Sequence, residues 1–191
     1  YNHFKKVEES GEARRRGCVV QTDNGDSIRM LSMLFDSQGK VLGPVVDSLL
    51  REGETLKLTK LSAVSTSRDL DAGYLEFDQM EALLAETINR GERVYLENKV
   101  QWARLWKRAG VSIVGDETAQ KAVNFSIYHL LRSVNPDDSR VAVCAKGYSG
   151  EAYFGHFFWD TEVYLLPFYL YTNPELAKKL VEFRIQTLPG A

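Results

Sequence analysis

The chain holds 191 residues, with 24 basic and 26 acidic side chains and a formal net charge of −2. A balance this even excludes the basic footprint of a nucleic-acid or anionic-membrane binder, and it leaves a neutral or small-molecule partner as the expectation. The hydrophobic fraction of 44% can support a real core, and the length suits one or two domains.

Tyr1 stands where an initiator methionine would, and Gly190-Ala191 follows directly on a helical pattern, so the sequence reads as a piece of a longer protein. Cys18 and Cys144 match no CxxC or metal-ligand spacing. Two free thiols and a cytoplasmic setting are expected.

Residues 1 to about 70 read as antiparallel strands. Val19, Val20 and Thr22, then Ile28, Met30, Ser32 and Leu34, then Leu56, Leu58, Leu61, Val64 and Thr66 form short, partly alternating segments. Turn residues at Asp23-Asn24-Gly25-Asp26, Ser37-Gln38-Gly39-Lys40 and Glu52-Gly53-Glu54 separate them. The run Arg14-Arg15-Arg16, near Glu8, Glu9 and Glu12, reads as a solvated edge or turn rather than an anion site.

Beyond Tyr74 the apolar residues move to helical spacing, with Leu75, Met80, Leu83, Leu84 and Ile88 before a stop at Gly91. A second helix, Val94 to Arg108, places Trp102 and Trp106 on one face, where packing is a commoner use of two indoles than sugar stacking. Asp116 reads as the N-cap of a third helix, apolar on more than one face and therefore expected to be deeply buried. Within it His129 has no second ligand at i±4 and reads as a satisfied core or interface residue.

The stretch Gly147 to Pro174, GYSGEAYFGHFFWDTEVYLLPFYLYTNP, is a glycine-spaced aromatic loop feeding an apolar helix. Val163 to Tyr171 is about half of the roughly 20 residues that a bilayer span needs, so it reads as a fully buried core helix. Asp160 is expected to cap it, Pro167 to kink it, and Asn173-Pro174-Glu175 to start another helix. His156, Asp160, Glu162 and Glu151 gather here with Trp159, Tyr153 and Phe157. An aromatic plate beside a carboxylate suits a pyranose, and an apolar helix entry accounts for the same pattern. His156 and Asp160 lack a second histidine or HExxH, Ser149 lacks a nucleophile-elbow context, and the glycines do not make a dinucleotide fingerprint.

Ala145 to Glu151 (AKGYSGE), Gly155 to Glu162 (GHFFWDTE), Leu166-Pro167-Phe168 and Arg184 to Ala191 (RIQTLPGA) closely resemble glycoside hydrolase family 65, which holds the inverting maltose, kojibiose, nigerose and trehalose phosphorylases and related hydrolases. The resemblance takes in Gly115-Asp116, Gln120 and Asn124-Phe125, and more loosely Thr66 to Asp69. It is strong from about residue 94 onward and weak over the first 60. Asn98 stands where the family leads one to expect a histidine.

The resemblance implies a fold of mixed β and α in separate domains: a β-sandwich portion over 1–73, a helical linker over 74–110, and the start of an (α/α)6 catalytic barrel over 111–191. It implies phosphorolysis of an α-glucosidic disaccharide with inversion, this piece supplying the glucosyl (−1) subsite. Trp159 and Asp160 inherit the sugar-binding role, and His156 and Phe158 join them as candidate substrate contacts. No catalytic residue and no metal ligand is assigned. The family's general acid and phosphate pocket belong to later barrel segments, so the isolated piece is expected to be inactive. Disaccharide or glucose and inorganic phosphate are the expected partners, without a resident cofactor and with homodimerisation left open. An inverting hydrolase of the same family and a non-catalytic carbohydrate-binding module are the alternatives.

Overall fold

A computed structural model describes residues 4–12, 15–69, 73–147, 153 and 156–190. The chain divides into two compact units, Tyr1–Glu97 and Asn98–Ala191. Among the described residues one antiparallel sheet precedes five α-helices.

The sheet comprises β1 (Phe4–Glu12), β2 (Arg15–Thr22), β3 (Ser27–Phe35), β4 (Val41–Leu42) and β5 (Thr59–Thr66). Strand β3 is central: β2 pairs with Ser27 to Ser32, β4 with Leu34 and Phe35, and β5 with Ile28 to Phe35. The predicted turns are where the glycines require them, since Gly25, Gly39 and Gly53 all adopt positive φ. Leu56 and Leu58, expected on a strand, precede β5 and are exposed. The physical reason is pairing: Thr59 already lies opposite Phe35, the last residue of β3, so residues before it have no partner strand there.

Alternation along β3 sets the core. Leu31, Met33 and Phe35 are buried on one face against Met80 and Leu84 of α1 (Phe77–Arg90), with Leu61, Ala63, Leu75, Phe77 and Ile88 around them. Burying each such side chain contributes about 1.5–3 kcal/mol. The other face carries Met30 and Val64, both exposed, beside Cys18 and the Ser32–Ser62 hydroxyl pair at 2.7 Å, around a concavity of about 860 Å³.

Arg15 corrects the reading of the basic run as a solvated edge. Its side chain is only 12% exposed, and its Nη1 pairs with Asp78 at 2.9 Å and Glu81 at 3.0 Å. Arg16, by contrast, is exposed, and Arg14 lies outside the described residues. Arg29 is buried in a similar way: its guanidinium lies 4.3 Å from the Tyr74 ring centre and 3.0 Å from Glu76, and it donates to the Leu75 carbonyl. The two arginines tie the entry and first turns of α1 to the sheet.

Helix α1 begins with a reciprocal capping box between Glu76 and Gln79 and stops at Gly91, φ 49°. Helix α2 (Glu92–Ala109) follows, and α3 (Glu117–Arg132) starts where the Asp116 carboxylate accepts the Ala119 N–H at 2.9 Å. Trp102 stacks on Tyr128 with ring centres 5.3 Å apart, which favours the packing role for that indole. His129 packs on Phe125, one turn earlier on the same helix, with ring centres 4.3 Å apart.

Two burial expectations are corrected. Helix α3 buries Ile127 while Phe125 is 66% exposed, so it is not deeply buried within this chain. Over Val163 to Tyr171, Tyr169 is fully buried, but Val163, Tyr164, Leu170 and Tyr171 are exposed. Both segments are apolar on more faces than the neighbouring described elements cover. The second core gathers Val143, Tyr169, Leu176, Ala177 and Leu180, and the Tyr169 hydroxyl donates to the Leu130 carbonyl at 2.7 Å.

Candidate functional site

The site is built where the apolar segment begins. Residues Thr161–Leu165 form one π-helical turn, followed by α4 (Leu166–Thr172) with Pro167 in its first turn. Pro167 has no N–H to donate, and the Leu166 N–H reaches back to Thr161, so the expected irregularity takes the form of a widened turn. Asp160 does not cap this helix. Its own backbone is helical (φ −52°, ψ −36°), so the carboxylate cannot fold back over the first N–H groups. Asn173 likewise makes no side-chain cap at α5 (Pro174–Thr187); its carbonyl accepts from Leu176 and Ala177 instead.

Three anchors hold the segment around Trp159 and Asp160. The Phe157 ring meets Phe183 of α5 edge-on at 4.9 Å. Thr161, 1% exposed, donates its hydroxyl to the Val143 carbonyl at 2.8 Å. Arg184, also on α5, donates Nε to Glu162 Oε1 at 2.7 Å and Nη2 to Glu162 Oε2 at 2.9 Å, and the same Nη2 reaches the Phe158 carbonyl at 2.6 Å. Such bidentate, charge-assisted bonds define geometry as well as energy.

Between these anchors the candidate residues are open. Trp159 is 64% exposed, its ring 6.2 Å from that of Tyr164. Asp160 is half-buried, and its carboxylate makes no hydrogen bond or ion pair among the described residues. His156 Nδ1 lies 2.8 Å from the Tyr153 carbonyl, a contact made by the Nδ1–H tautomer, which leaves Nε2 as an acceptor. Phe158 meets the Tyr153 ring edge-on at 5.1 Å. Tyr153 therefore gathers His156 and Phe158, while Trp159 and Asp160 follow on the adjoining turn. Gly150, Glu151 and Gly155 lie outside the described residues.

The predicted Gly147 stands at the root of the loop with φ 57°, and a Cβ there would come within 2.5 Å of the Ser133 hydroxyl oxygen at the end of α3. Among the described residues no group of three or more His, Cys, Asp or Glu side chains is placed to hold a metal ion, and no helix is long and apolar enough to cross a membrane. Sequence reasoning assigned no role to Thr161 or Arg184. A signal for Arg184 was present: helical spacing sets it beside Leu176, Leu180 and Phe183, the buried residues of α5, rather than on the opposite, polar side.

The profile of the glycosyl hydrolase family 65 central catalytic domain matches residues 124–191. The chain is 41% identical over 149 residues to a kojibiose phosphorylase of Halothermothrix orenii, covering 74% of this chain and 19% of that protein. It is 41% identical over 140 residues to a nigerose phosphorylase of Lachnoclostridium phytofermentans (72% and 18%). Over 147 residues it is 36% identical to an α,α-trehalose phosphorylase of Thermoanaerobacter brockii (77% and 19%). The chain thus spans about a fifth of the length of these curated relatives. A solved structure described as a candidate kojibiose phosphorylase from the human microbiome superposes with a TM-score of 0.64 at 23% identity, covering 96% of this chain and 26% of that one, which speaks to the fold alone. Through residues 124–191 and these phosphorylase relatives, the chain belongs to glycoside hydrolase family 65.

Proposed function

We propose that the chain carries the donor-glucose wall of an inverting α-glucoside phosphorylase, with Trp159 stacking on the apolar face of the sugar and Asp160 accepting hydrogen bonds from its hydroxyls. The observation that carries this reading is the contrast between two neighbouring carboxylates. Glu162 is committed to Arg184, whereas Asp160 is left without a partner among the described residues and stands beside an open indole. His156 Nε2 and the Phe158 ring flank them as further sugar contacts.

The relatives named above are phosphorylases, which supports phosphate rather than water as the attacking group. In this reading phosphate attacks the anomeric carbon on the face opposite the departing oxygen, and a carboxylic acid outside residues 1–191 protonates that oxygen. Glu162 is unsuited to that task, because its oxygens both accept from Arg184. Residues 1–191 alone would then hold the sugar without cleaving it. The same proposal takes 1–73 as part of a β-sandwich, 74–110 as a linker and 111–191 as the start of the barrel. An open sheet face and the exposed apolar residues of α3 and α4 support it.

The test uses the protein expressed from its complete gene, assayed with kojibiose, nigerose and trehalose in the presence of phosphate. Asp160→Asn and Trp159→Ala should each remove on the order of 1.5–3 kcal/mol of binding, which lowers kcat/KM by about 10- to 150-fold. Unchanged kinetics in both variants would refute the subsite. Absence of phosphate-dependent turnover by the wild type would refute phosphorolysis.

A further inference from the structure

We propose that Arg184 is the positioning residue of this sugar site: from α5 it holds the Phe158 carbonyl on one side of Trp159 and Asp160 and the Glu162 carboxylate on the other, without touching the sugar itself. The inference rests on the subsite reading above. Arg184 Nη2 holds the carbonyl of Phe158, the residue before the pair, at 2.6 Å. Its Nε and Nη2 hold the carboxylate of Glu162, two residues after the pair, at 2.7 and 2.9 Å. One planar guanidinium therefore spans the segment, and Trp159 and Asp160 lie between the two points it holds.

The segment needs this support. It enters a π-helical turn, whose wider hydrogen-bond ring is less constrained than an α-helical one, and the Thr161 N–H reaches the Phe158 carbonyl only at 3.5 Å. Among the described residues Asp160 has no side-chain bond to set its position. Arg184 is about a third exposed, as is Glu162, so neither charge is stranded by the fold. The arginine fork suits a task that a lysine could not perform, because a single ammonium cannot satisfy a bidentate carboxylate and a carbonyl in one plane.

A double-mutant cycle in the full-length enzyme tests the proposal, with kcat/KM for phosphorolysis as the readout and thermal unfolding measured in parallel. Misplacing substrate-positioning groups by about 1 Å costs on the order of 100-fold, so Arg184→Ala and Arg184→Lys should both fall in that range. In an Asp160→Asn background Arg184→Ala should cost less than threefold more, because the residue it positions is already disabled. A merely structural role predicts the full loss again in that background, and this result would overturn the proposal. A folded Arg184→Ala enzyme with unchanged kcat/KM would also overturn it, while leaving the Asp160 assignment standing. Conversely, an Asp160→Asn enzyme with unchanged kcat/KM sinks the subsite and the positioning role with it. If Arg184→Ala does not fold, the isosteric Glu162→Gln is carried through the same cycle with the same two outcomes.

Discussion

Thr161 donates its hydroxyl to the carbonyl of Val143 at 2.8 Å, with both residues at least 98% buried. This bond joins the segment leading into the aromatic loop to the turn that leaves it, closing the loop at its base. Thr161→Val keeps the shape but removes the donor, leaving the Val143 carbonyl unsatisfied. Stability should fall by about 1–3 kcal/mol, and Thr161→Ser should recover most of it. Calorimetric unfolding of the full-length protein checks both.

At the other end of that base, Gly147→Ala should destabilise through two separable effects. A non-glycine residue at φ 57° costs about 1–2 kcal/mol. The added Cβ also falls 2.5 Å from Ser133 Oγ and 3.3 Å from its Cβ. Removing the hydroxyl with Ser133→Ala should relieve the second effect and leave the first. The double variant is therefore expected to be less destabilised than the sum of the singles, by about 0.5–3 kcal/mol in unfolding free energy.

In the sheet-containing unit, Arg29 and Glu76 should respond unequally to substitution. Glu76 is 68% exposed, so losing Arg29 does not strand a buried charge. The cost of Arg29→Ala comes from its packing on Tyr74 and Phe77 and from the Leu75 carbonyl it satisfies. It should amount to about 1.5–3 kcal/mol. Glu76→Gln should cost less, because Glu76 is 68% exposed and a glutamine side-chain oxygen can still accept from the Arg29 guanidinium. Equal losses in urea denaturation would contradict this account.

What was legible in the sequence and what was not divides along a physical line. Local chemistry read correctly: Gly25 and Gly39 supply the turns, Gly91 stops α1, and Asp116 caps α3. Strand β1 has no readable pattern in FKKVEESGE, because pairing with β2 rather than an apolar face holds it in place. Arg15 read as part of a solvated edge and Arg184 was given no role, since their partners lie 63 or more and 22 residues away in sequence. The same limit applies to Asp160: its residue type favours an N-cap, but the helical backbone at that position forbids one. The residues themselves marked only an aromatic, glycine-spaced loop before an apolar helix, and the family resemblance singled out Trp159 and Asp160 within it. The bonds from Arg184 of α5 to Phe158 and Glu162 on either side of them join residues distant in sequence.

Neighbouring aromatics in the loop should separate structure from binding. Phe157 is half-buried against Phe183, so Phe157→Ala removes that packing and should cost part of the about 3–5 kcal/mol lost with a fully buried ring. Phe158 is 39% exposed and touches Tyr153 by its edge. Phe158→Ala should therefore cost about 0.5–1.5 kcal/mol in aromatic contact, while raising KM for the disaccharide. His156→Ala removes the bond to the Tyr153 carbonyl and the Nε2 acceptor together, and it should raise KM in the same way with a small loss of stability. Paired measurements of unfolding temperature and KM on the three variants decide the matter. Phe157→Ala should shift mainly the unfolding temperature, and the other two mainly KM. If Phe158→Ala and His156→Ala leave KM unchanged, the sugar-contacting surface is confined to Trp159 and Asp160.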